Sequence, residues 1–179
     1  VANFILVRGA GRFEETPSFQ EKYNLKACFV AGGALYKGIA RILGMEEIPV
    51  EGATGFIKTN LKGKIQAIKD SLAKFDFVFC HIKATDSLSE DGDFIRKKEF
   101  IEKIDENLEP ILDLKNTLIV VTADHSTCCI LKRHCKDPVP LLIYGAGSDD
   151  VRQFSEKACK KGKLGKIKQL NLMAKIMEL

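Results

Sequence analysis

The sequence predicts an α/β fold with a largely parallel sheet, and three observations carry that expectation. Short apolar runs alternate along the chain with segments whose apolar residues recur at helical spacing. The 179 residues, 45% hydrophobic and 29% charged, suit one domain with a full core and are too apolar for a disordered chain. No apolar run approaches the roughly 20 residues that a membrane-spanning helix needs, so no membrane partner is expected.

The elements follow in order. Residues 3–7 (NFILV) and 26–31 (KACFVA) read as buried strands, and Gly32-Gly33 supplies a turn after the second. Residues 34–43 have helical spacing, and 47–50 (EIPV) form a short apolar run. Residues 61–74 place Ile65, Ile68 and Leu72 on one helical stripe. A strand follows at 75–82 (FDFVFCHI). The longest helix candidate spans 93–114, with Ile101, Ile104, Leu108, Ile111 and Leu112 in register and Asp91 or Asp93 able to cap its start. Strands at 117–121 (TLIVV) and 139–144 (VPLLIY) precede Gly145 and Gly147. A last helix is expected at 166–178 through Ile167, Leu170, Met173 and Ile176. No repeat or low-complexity linker interrupts the pattern.

The formal net charge is only +4, the basic residues are mostly Lys, and no Trp is present. Readers of bases favour Arg forks and aromatic platforms, so nucleic acid is not the expected partner; a phosphorylated small molecule suits mild positive charge as well. The run Lys157, Lys160, Lys161, Lys163, Lys166 and Lys168 fits a solvated surface. Six cysteines without regular spacing, two of them inside apolar runs, suggest reduced thiols in a cytoplasm. The chain opens on Val1 with no charged-then-apolar leader, which suggests a fragment rather than a secreted protein.

In open α/β sheets ligands gather beyond the carboxyl ends of the strands, and here those ends carry metal-ligand residue types. Asp86 follows the strand at 75–82, with Glu90 four residues on. Asp124 and His125 follow 117–121 directly, and His134 lies in the loop before 139–144. Carboxylates and imidazoles so placed suit Mn²⁺, Zn²⁺ or a related ion, and ion pairs roughly 4 Å apart are a common device in phosphoryl chemistry. Plainer roles remain open for each. Asp86 and Glu90 could cap a helix, Asp124-His125 could fill a turn, and His134 could belong to a polar loop. His81, inside a strand, reads as a packed histidine. Cys128, Cys129 and Cys135 do not have the spacing of a zinc finger or ribbon.

The segment VTADHSTCCILKRHCKDPVPLLIYG resembles the carboxyl-terminal region of archaeal-type cofactor-independent phosphoglycerate mutases, members of the alkaline-phosphatase superfamily. HIKATDSLSEDGD, EGATG with Thr59-Asn60, IEKIDENLEPIL and NFILVRGAG resemble the same family, so the likeness spans essentially the whole chain. It implies a doubly wound, mostly parallel sheet flanked by helices and incomplete at its amino-terminal side. It also implies interconversion of 2- and 3-phosphoglycerate through a phosphoserine or phosphothreonine enzyme, without 2,3-bisphosphoglycerate. Two divalent ions are implied, with manganese favoured and Mg²⁺, Co²⁺ or Zn²⁺ as alternatives. Asp124 and His125 would hold the ion nearest the nucleophile. Asp86 and His134 would hold the second, completed by position 90. Lys22 resembles a lysine that contacts the transferring phosphoryl group, and Arg8 with Arg12 resembles a substrate clamp.

Two departures shape the expectations. Position 90 is Glu where the family has His, a change that favours harder ions such as Mn²⁺ or Mg²⁺. Nothing in the chain matches the segment that carries the family's nucleophile. Ser87, Ser126 and Thr127 qualify by residue type only, and Ser126 suits a turn cap. Residues 1–179 are therefore expected to be the carboxyl-terminal part of the metal-binding catalytic domain, lacking the nucleophile segment and the inserted domain and inactive alone. An open sheet edge would then favour self-association. The rival expectations are another phosphomutase or phosphate-ester hydrolase of the superfamily, and, from a different class, a non-catalytic anion- or nucleic-acid-binding domain.

Overall fold

The structure, a computed structural model, describes residues 11, 12 and 14–179; the expected strand at 3–7 and Arg8 lie outside them. The described chain enters through a short helix, α1 (Phe19–Tyr23). Ser18 and Glu21 close a reciprocal capping box at its start, and Asn24, with φ of 54°, ends it. Five residues give no periodicity to read, which is why the sequence did not announce this helix.

The core is a parallel sheet of three strands in the order β2 (Glu46–Glu47), β1 (Ala27–Val30), β3 (Phe77–Cys80). Helix α2 (Ala34–Ile42) connects β1 to β2, and α3 (Leu61–Ser71) connects β2 to β3. All four residues of β1 are buried because helices cover both faces of the sheet. Ala27 and Phe29 pack on one side with Phe19, Ala40 and Met45. Cys28 turns to the other side, where its thiol meets Ser71 of α3 and burial pushes its pKa up. Lys37 and Arg41 of α2 both pair with Glu47, pinning the helix to the short edge strand. Asn60 caps α3 by accepting from the Gly63 amide at 2.8 Å.

The helix expected at 93–114 is two helices, α5 (Phe94–Glu106) and α6 (Glu109–Leu112). Pro110 has no N–H and its ring would collide with the Glu106 carbonyl, so the backbone stops and restarts. Asp93 caps α5 through the Arg96 amide, as one of the two expected candidates. Before it lies α4 (Ala84–Glu90), and Leu61, Ala84, Leu88 and Phe100 from α3, α4 and α5 form a second core cluster.

Strand β4 (Ile119–Val121) pairs with β7 (Leu142–Tyr144) in antiparallel sense. Only the hairpin of β5 (Ser126–Cys128) and β6 (Arg133–Cys135) separates them, and without a crossover helix the returning strand comes back antiparallel. The expected helix at 166–178 shrinks to a 3₁₀ turn (Gln169–Asn171) and α8 (Leu172–Met177), preceded by the short α7 (Glu156–Cys159). Leu170 is 95% exposed, so nothing packs on that turn to stabilise a longer helix. Among the described residues no helix is long and apolar enough to cross a membrane, and the six cysteines are free.

Candidate metal centre

The carboxyl ends of β3 and β4, with the β5–β6 hairpin, bring the chemistry-bearing residues together. Asp86 sits in the first turn of α4, which begins four residues after β3 ends. Asp124 and His125 lie in the link between β4 and β5, and His134 is the central residue of β6. One ligand atom from each of Asp86, His125 and His134 falls within 4.8 Å of the others. Three separate chain segments therefore converge on one place, a stronger arrangement than any of the sequence spacings alone.

Individual contacts refine the picture. His134 Nε2 is 3.6 Å from Asp86 Oδ1 and 3.9 Å from Glu90 Oε1. The carboxylate at position 90 thus faces the same imidazole as Asp86, one helical turn earlier. His125 Nε2 is 3.5 Å from Asp124 Oδ2, and the His125 and His134 rings stack at 3.8 Å. Two acidic and imidazole groupings stand side by side, Asp86–Glu90–His134 and Asp124–His125. Oxygen and imidazole nitrogen donors in this mixture fit a borderline or hard divalent cation.

Neighbouring groups hold these side chains. Lys83 donates to Asp86 Oδ2 at 2.7 Å, and Thr127 donates to Asp86 Oδ1 at 2.7 Å. Partial burial raises the Asp86 pKa, but these hydrogen bonds outweigh it and leave the carboxyl below its ordinary value. The Tyr36 hydroxyl donates to Asp124 Oδ2, and the Gln169 amide donates to the Asp124 carbonyl at 2.5 Å. Burial, followed by the Asp124 hydrogen bond, pushes the Tyr36 phenol well above its usual range. His81 stacks on Tyr36 at 3.4 Å between ring centroids, and its Nδ1 is buried without a hydrogen-bond partner. Burial holds the His81 pKa at about 4. It is a packed histidine, as expected, although it lies just past the end of β3 and not inside the strand.

Tyr36, Thr127 and Gln169 as supporting residues were not legible in the sequence, because each depends on a contact between distant segments, whereas Lys83 stands three residues before Asp86. The "HIK" context beside Asp86 was the only local signal for Lys83. Ser126 does not cap a turn; it opens β5 and donates to the Asp137 carbonyl at 3.0 Å. Lys22 lies on α1 with its ammonium over the Tyr23 ring, and among the described residues no hydrogen bond or ion pair joins its amine to the cluster. Arg12 is exposed on irregular chain, and Arg8 lies outside the described residues.

A helix-covered parallel sheet with Asp86 beyond the end of β3, joined by imidazoles from the neighbouring β4–β6 region, has the make-up of a metal-binding α/β domain. The chain belongs to the Metalloenzyme superfamily, whose model matches residues 1–179. It is 44% identical over 179 residues to the 2,3-bisphosphoglycerate-independent phosphoglycerate mutase of Methanoculleus marisnigri, covering 99% of this chain and 44% of that one. Among solved structures it is similar to a Pyrococcus horikoshii protein, with 40% identity and a TM-score of 0.87 over 90% of this chain and 51% of that one. It is also similar to the cofactor-independent phosphoglycerate mutase of Thermoplasma acidophilum, with 33% identity and a TM-score of 0.73 over 91% of this chain and 39% of that one. The chain spans less than half the length of the curated relatives it matches.

Proposed function

We propose that these residues form the metal-binding, carboxyl-terminal part of the catalytic domain of a cofactor-independent phosphoglycerate mutase. On this reading the complete polypeptide interconverts 2- and 3-phosphoglycerate in the cytoplasm without 2,3-bisphosphoglycerate. The observation that carries it is the convergence of Asp86, His125 and His134 from three separate segments. The named relatives add the reaction class.

Asp124 and His125 would hold one divalent ion and Asp86, Glu90 and His134 a second, with Mn²⁺ favoured by two carboxylates beside a single imidazole. Bound there, such ions neutralise phosphoryl oxygens and lower the pKa of a hydroxyl nucleophile. The nucleophile is a Ser or Thr outside residues 1–179. Lys83 limits the negative charge gathered at Asp86. Lys22, Arg8 and Arg12 would bind the phosphate and carboxylate of the substrate, through point charge for Lys22 and planar forks for the arginines.

The test is ³¹P NMR of 3-phosphoglycerate with the complete polypeptide, Mn²⁺ and no bisphosphoglycerate. Appearance of 2-phosphoglycerate without free phosphate is the expected result; release of inorganic phosphate instead would make the protein a hydrolase. The 179-residue chain alone is expected to convert nothing, and turnover by it would place the nucleophile within these residues.

A further inference from the structure

Thr127 occupies an unusual position among the site residues. It is the buried centre of β5, 9% exposed, and pairs in register with His134 across the hairpin. Its carbonyl accepts from Lys97 of α5 at 3.2 Å, which ties the strand to the helix layer. Its hydroxyl oxygen lies 2.7 Å from Asp86 Oδ1 and 3.1 Å from His125 Nδ1.

A hydroxyl has one proton. An ionised carboxylate can only accept, so that proton goes to Asp86. The oxygen then has only lone pairs to offer His125, and two acceptors do not bond, so Nδ1 must carry hydrogen. A neutral imidazole has one N–H, which leaves Nε2 with its lone pair free. Nε2 is the nitrogen 3.5 Å from Asp124 Oδ2.

We propose that Thr127 is a positioning residue that fixes His125 as the Nδ1–H tautomer and joins Asp86 and His125 through one hydroxyl. The Nε2 lone pair is thereby presented beside Asp124, while Asp86 remains with His134. A β-branched side chain suits the task, since its χ1 is stiff and the hydroxyl stays aimed at both partners. The consequence for metal affinity rests on the metal-binding reading above; the tautomer assignment does not.

The chain contains three histidines, so ¹⁵N-histidine labelling gives a resolvable long-range ¹H–¹⁵N spectrum. At pH 8 and without metal, His125 should show protonated Nδ1 and unprotonated Nε2. T127V, close in shape, should shift His125 towards Nε2–H and weaken Mn²⁺ binding, measured by calorimetry, about 10-fold or more. T127S should retain the native tautomer and binding. A wild-type His125 protonated on Nε2 overturns the proposal whether or not T127V folds, as does a folded T127V with unchanged tautomer and affinity. A Thr127-dependent tautomer in a chain that binds no Mn²⁺ would support the proposal and remove the metal reading instead.

Discussion

His81 shows how one half-buried side chain sets a property of the whole domain. Its pKa is about 4 in the folded chain, lowered by burial from 6.5. As pH falls the unfolded chain takes up this proton first, so the His81 contribution is intact above about pH 6.5 and is lost progressively towards pH 4. With allowance for partial exposure the loss is about 2 kcal/mol. H81F keeps an aromatic ring against Tyr36 and removes the proton; urea titrations across this range should show a flatter acid limb than wild type. An equally steep limb would assign the acid sensitivity to other groups. At position 90 the question is ligand identity. E90H should shift preference from Mn²⁺ towards Zn²⁺, and E90A should weaken Mn²⁺ binding in calorimetry. Unchanged binding in both would remove Glu90 from the site.

At the scale of elements, the turn after β1 shows why some glycines cannot change. A Cβ on Gly32 would lie 2.2 Å from the Thr54 carbonyl carbon and oxygen, so the two backbone segments touch. Thr54 belongs to the EGATG segment, and its amide is held by the Thr59 hydroxyl at 3.0 Å. G32A must part these segments, and chemical denaturation should show a loss of about 3 kcal/mol. Wild-type stability would mean the loop shifts freely. The same scale explains what the sequence disclosed. Strands β1 and β3 were legible because covering helices force continuous apolar runs. Helix α3 was legible because one face of it is buried, whereas α2 buries only Ala40 and leaves Leu35, Ile39 and Ile42 exposed. The hairpin was not, since three-residue strands of STC and RHC have no apolar alternation and are defined by pairing with each other.

For the molecule as a whole, ligands from separate segments should make metal binding a folding reaction as well as a site reaction. Each ion that binds only the folded chain adds about 2.7 kcal/mol at a concentration 100 times its Kd. Mn²⁺ should therefore raise Tm in calorimetric scans, and a chelator should reverse the rise. Lack of any shift in wild type, or an undiminished one in D86A and H134A, would separate the cluster from metal binding.

The sequence by itself determined the layer architecture, through apolar runs and helical stripes that local chemistry must bury. Its wording at ADHS, DPVP and HIKATD also determined the family resemblance and the candidate ligands Asp86, Glu90, Asp124, His125 and His134. Tertiary structure decided which of these meet: Asp86, His125 and His134 come within 4.8 Å of one another, with Glu90 beside His134 and Asp124 beside His125. It also supplied Tyr36, Gln169 and Thr127 as their supports. The physical reason is one of range. Hydrophobic patterning is written within a few residues, whereas a hydrogen bond joining positions 41 residues apart, as between Asp86 and Thr127, exists only after the helices and the hairpin have packed.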